Sequence, residues 1–93
     1  MTSISITYTD AHLRILIEEF IAMQRSKFTF KDVCLYILYR AMEDDKTVGG
    51  KIYESNQLES NDCDRVRGIL EKIVVEGRIS CSADNSQFVK LDK

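Results

Sequence analysis

Three thiols, one imidazole and a short run of carboxylates are the side chains in this sequence that could ligate a metal or carry out covalent chemistry. The thiols are Cys34, Cys63 and Cys81, and the imidazole is His12. A structural zinc ion needs four donors converging tetrahedrally, which sequences supply as close pairs such as Cys-x-x-Cys. No such pair is present. The odd number and wide separation of the thiols predict small hydrophobes in a reducing compartment, not a disulfide framework. A nucleophile needs a base beside it, and His12 has no Ser/His/Asp or Cys/His pattern to serve. Gly49-Gly50 lacks the Lys-Ser/Thr that completes a phosphate-binding loop. Glu43, Asp44 and Asp45 read as the solvated end of a helix, not as a cation site. The sequence therefore predicts no enzyme, no metal and no cofactor.

What remains is recognition through charge and shape. The 93 residues carry a net charge of -2 and 44% hydrophobic residues, as suits one globular domain spanning 1–93. Nucleic-acid affinity comes largely from neutralising phosphates, so a mildly acidic balance argues against strong non-specific binding. No apolar run approaches the ~20 residues needed to span a bilayer. The start, "MTSISITYTD", has neither a basic region nor an apolar one, so it predicts no secretory signal. A cytoplasmic address, or a nuclear one in a eukaryote, is expected, with no membrane partner.

The elements that would position a recognition surface follow from periodicity. Ile4, Ile6 and Tyr8 alternate in residues 4–8, predicting a short strand at an edge or paired with another chain. Thr9 and Asp10 can cap a helix over 10–24, with Leu13, Leu16, Ile17, Phe20 and Ile21 on one stripe. Residues 27–30, "KFTF", suit a very short strand. Thr29 can cap a second helix, whose segment 33–39 is apolar all round and predicts the most enclosed helix. Residues 44–59 form a long loop, with a turn at Gly49-Gly50 and with Val48, Ile52, Tyr53 and Leu58 anchoring it. Ser60, Asn61 and Asp62 open a third helix over 61–76, with Val66, Ile69, Leu70, Ile73 and Val74 inward. Gly77 stops it. "RISCSA" and "QFVKL" then form a hairpin around "DNS". The expected core contains Leu13, Leu16, Ile17, Phe20, Val33, Ile37, Ile69, Leu70 and Ile73.

This order resembles the winged-helix (winged helix-turn-helix) superfamily over residues 10–91, most closely in "VRGILEKIVVEGRI". The resemblance implies a mainly α fold with a small β-hairpin: three helices, a C-terminal two-stranded wing and an N-terminal edge strand. It also makes the third helix the recognition helix. The helical repeat puts Asn61, Asp64, Gly68, Glu71 and Val75 opposite the core stripe, flanked by Arg65 and Lys72. The sequence departs from the pattern at 44–59, because helix-turn-helix units join these two helices by a few residues.

Two functions follow from the resemblance. The first is a double-stranded DNA-binding, transcription-regulator-like protein. There Arg65, Arg67, Lys72 and Lys90 would meet phosphates or bases and Asn61 would read a base. The second is an acidic protein-interaction module, an adaptor or inhibitor, using Asp64, Gly68, Glu71, Val75 and Asp84. It is motivated by Asp62, Asp64 and Glu71, whose carboxylates repel phosphates, and by a wing with Lys90 as its lone cation. "EGRISCSADNSQFVKLDK" also resembles the end of the winged-helix module of the replication protein A middle subunit, which implies protein partners. A homodimer through the N-terminal strand or the first helix is expected.

Overall fold

The computed structural model describes residues 3–48, 57–83 and 86–91. The Gly49-Gly50 turn, the Ile52 and Tyr53 anchors and Asp84 lie outside them. The elements run β1 (Ser3–Ile6), α1 (Asp10–Met23), β2 (Phe28–Thr29), α2 (Phe30–Glu43), β3 (Thr47–Val48), β4 (Gln57–Leu58), α3 (Ser60–Val75), β5 (Ile79–Cys81) and β6 (Gln87–Lys90). The molecule is a small α/β domain of three helices and two small three-stranded sheets.

Each helix begins and ends for a local reason. Thr9 is extended, and its hydroxyl accepts the His12 N–H at 3.2 Å, which starts α1. Thr29 and Asp32 form a reciprocal capping box on α2, with bonds of 3.1 and 2.9 Å. Glu59 caps α3 through its backbone alone, and the helix opens at Ser60. Both α2 and α3 end in a left-handed residue. Gly77 has φ 80°, and Asp45 has φ 56°. In each case the next two amides close back onto the helix: Gly77 and Arg78 to Val74 and Ile73, Asp45 and Lys46 to Met42 and Ala41.

Every residue expected in the core is buried. Phe28 stacks on Phe88 with ring centroids 5.6 Å apart, and Phe20 meets Phe28 edge-on at 5.5 Å. The aromatic contacts fasten α1 to the sheet of order β2-β6-β5, where Phe28 faces Phe88 and Ile79 faces Lys90.

Three expectations are corrected. First, α2 is not enclosed all round. It buries Val33, Cys34, Ile37, Leu38 and Ala41 but exposes Leu35, Tyr39 and Met42, because one helix in a layered domain covers only one stripe. Second, β1 is not an edge strand. It is the centre of a sheet of order β3-β1-β4, antiparallel to β3 (Ile6 opposite Thr47) and parallel to β4 (Ile4 opposite Leu58). Third, the 44–59 segment is not a plain loop, since its described ends are β3 and β4, clasping β1 from both sides.

Candidate recognition face

The N-terminus of α3 is fixed by an ion pair whose carboxylate is buried. Asp62 is only 5% exposed. Its Oδ2 accepts the Ile6 N–H at 3.0 Å, and its Oδ1 accepts Arg65 Nη1 at 2.9 Å. Arg65 also donates from Nε to Asp10 Oδ1 at 2.8 Å and from Nη2 to the Tyr8 carbonyl. Burial alone would lower the Arg65 pKa, but its bonds to Asp10 and Asp62 outweigh that and hold it above the ordinary value. Two expectations change here. Asp62 is not on the outer face at all, and Arg65 has an internal acceptor at each guanidinium nitrogen, so it is a clamp between β1, α1 and α3 and not a free reader of bases. Among the described residues no buried side-chain nitrogen or oxygen lacks a partner.

The C-terminal end of α3 is fixed by surface charges. Arg14 on α1 donates to Glu76 at 2.6 Å and to Glu18 at 3.4 Å, and Arg78 donates to Glu18 as well. The Arg78 hydrogen bond, outweighing burial, holds the Glu18 carboxyl below its ordinary range.

Between these two anchors α3 presents Asn61, Asp64, Arg67, Glu71, Lys72 and Val75 to solvent, with Gly68 half-buried. Val75 is 86% exposed. The Arg67 guanidinium lies 4.3 Å from the centroid of the Phe30 ring. A cleft of about 310 Å³ runs between α3 and the β5–β6 hairpin, lined by Arg67, Glu71, Val74, Val75, Cys81 and Phe88. A Cβ built on Gly68 meets no atom within 4 Å, so packing within the chain does not require glycine there. The structure thus brings Asn61, Asp64, Arg67, Gly68, Glu71, Lys72 and Val75 onto one helix. Lys90 is turned away from them, donating to the Ala22 carbonyl at 3.3 Å at the end of α1. Asp84 lies outside the described residues. Sequence reasoning missed Val74, Cys81 and Phe88 as cleft walls and Phe30 as the ring under Arg67. The aromatic alternation of "KFTF" and "QFVKL" was the available signal.

Of the residues considered for covalent chemistry, Cys81 stands in the cleft wall and Cys34, Cys63 and His12 lie elsewhere. Burial, followed by the neighbouring Cys63, pushes the Cys34 thiol up to about 12. Cys63 donates to the Leu58 carbonyl at 3.6 Å, and burial raises its pKa too. Both thiols are therefore held neutral, as weak nucleophiles. His12 is exposed in the first turn of α1 and meets Tyr8 edge-on, with ring centroids 4.6 Å apart. Among the described residues no three His, Cys, Asp or Glu side chains gather where an ion could sit, and no helix is long and apolar enough to cross a membrane.

Family models, curated proteins and solved structures were all compared with this chain, and none matches it.

Proposed function

We propose that the chain is a non-catalytic recognition module of the winged-helix type that docks a protein partner on α3 and the β5–β6 hairpin. The order α1, β2, α2, α3, β5, β6 with sheet order β2-β6-β5 supports the winged-helix reading. The β3 and β4 strands replace the short turn that would normally join α2 to α3.

The observation that carries the protein-partner reading is Gly68. Glycine inside a helix costs about 0.5–1 kcal/mol relative to alanine. No described residue calls for it, since among them nothing lies within 4 Å of its missing Cβ. A partner backbone approaching the helix closely gives it a purpose. Val75 is the apolar contact beside the cleft, and Asp64 and Glu71 disfavour a phosphate backbone on the same face.

Double-stranded DNA remains the second reading, favoured by Asn61, Arg67 and Lys72 exposed together on α3. It has lost Arg65 to the clamp and Lys90 to the end of α1.

Affinity capture with wild type and with Gly68→Arg, beside selection from a random DNA duplex library at low salt, tests both. Loss of a captured protein in the variant, with no duplex enriched, is expected. Capture of the same proteins by both forms would overturn the α3 face as the interface, and an enriched duplex motif would promote DNA.

A further inference from the structure

All but one of the chain's arginines have a partner inside the fold. Arg14, Arg40, Arg65 and Arg78 pair with carboxylates, and Arg67 lies over Phe30. Arg25 has none among the described residues. It stands exposed in the turn between α1 and β2 and lines a cleft of about 300 Å³ with Gln24, Ser26, Val89 and Lys90.

The walls of this cleft share one preference. Among the described residues no carboxylate lines it. Its two cations differ in geometry, a planar fork on Arg25 and a point charge on Lys90. The last turn of α1 contains no basic residue, so Lys90 supplies the counter-charge to that helix end by donating to the Ala22 carbonyl. An ammonium has three donor hydrogens, and that bond uses one of them. The Gln24 Nε2 donates to the Phe20 carbonyl at 3.1 Å, which leaves its Oε1 as an acceptor. Ser26 adds a hydroxyl with no other partner among the described residues, and Lys27 follows it, exposed.

We propose that this cleft binds a dianionic phosphate group, as the free ion or as a phosphate monoester. Two cations match a group that carries between one and two negative charges near neutral pH better than they match a single carboxylate. The Arg25 fork and the Ser26 hydroxyl donate to its oxygens, and in the free hydrogen phosphate ion the Gln24 oxygen accepts from the one P–OH that is left. This site is separate from the α3 face and does not depend on what docks there.

Amide chemical shifts followed during titration of the whole chain test the proposal. Inorganic phosphate and O-phosphoserine are the two probes, with sodium chloride at matched ionic strength as control. Saturating shifts confined to 24–27 and 89–91 are expected, absent in chloride. Arg25→Gln should weaken the binding by ~10-fold or more, as loss of a charge-assisted bond does. Arg25→Lys should fall between it and wild type, and Lys46→Gln should match wild type. Tighter binding of O-phosphoserine than of phosphate would identify an ester as the ligand, and the reverse the free ion. Linear shifts spread equally over Lys31, Lys46 and Lys72 would overturn the proposal. So would an unchanged affinity in a folded Arg25→Gln protein.

Discussion

Replacing Asp62 strips the Ile6 amide of its acceptor and Arg65 of its buried carboxylate. We expect Asp62→Ala to lose about 2–4 kcal/mol in urea unfolding, the range for breaking a buried, hydrogen-bonded charge pair. Asp64→Ala, two positions along and exposed, should stay within ~0.5 kcal/mol of wild type. A similar loss for both would contradict the burial described for Asp62. The two carboxylates look alike in the sequence. Their difference was nevertheless partly legible, because Asp62 stands four residues before Val66 and so falls on the core stripe. Its donor was not legible. Ile6 is 56 positions away, and no local pattern announces a backbone amide that distant. The same limit explains Arg65, whose partners Asp10 and Tyr8 belong to another element. Gly68 and Val75 needed only the helical repeat to be put on the outer face.

At the scale of elements, α2 and α3 close with the same left-handed turn built from different residues. Only glycine takes that conformation without a steric penalty. Gly77→Ala should therefore destabilise by about 1–2 kcal/mol, whereas Asp45→Gly should stabilise by up to ~1 kcal/mol, since aspartate tolerates the region without favouring it. Thermal unfolding of the two variants, read side by side, checks the opposite signs. Shifts in the same direction would rule out a shared motif. The three helices, the Gly77 stop and the terminal hairpin were readable because each carries its own periodicity or punctuation. Strands β3 and β4 were not, because two residues hold no period and their pairing with β1 is non-local. The polar alternation of β1 suggested an edge for the same reason: its neighbours on both sides come from a segment with no pattern of its own. The apolar run of α2 misled in the other direction, since composition cannot tell which side of a helix meets solvent.

For the whole molecule, the chain Glu76–Arg14–Glu18–Arg78 ties the end of α3 and the start of β5 to α1. Glu18 is held below its ordinary pKa, chiefly by Arg78. A depressed carboxylate stabilises the fold fully above its unfolded pKa of ~4.3, and that contribution is lost as pH falls through its folded value. Arg78→Gln should accordingly lower stability near neutrality and flatten its decline on the acid side, measured as urea midpoints across a pH series. An unaltered acid limb would mean the pair contributes nothing. The clasp of β3 and β4 around β1 has a further consequence, for the order in which the chain assembles. During synthesis β1 emerges before either of its neighbours. At ~5–20 residues per second, seconds pass before Leu58 and Asp62 exist to receive Ile4 and Ile6. Helices close from local contacts in microseconds, so α1 and α2 are in place while β1 still waits. β1 docks only after β4 and the start of α3 have been made, and its arrival locks the N-terminal end of α3. Until then the face that α3 presents stands on an unfastened helix.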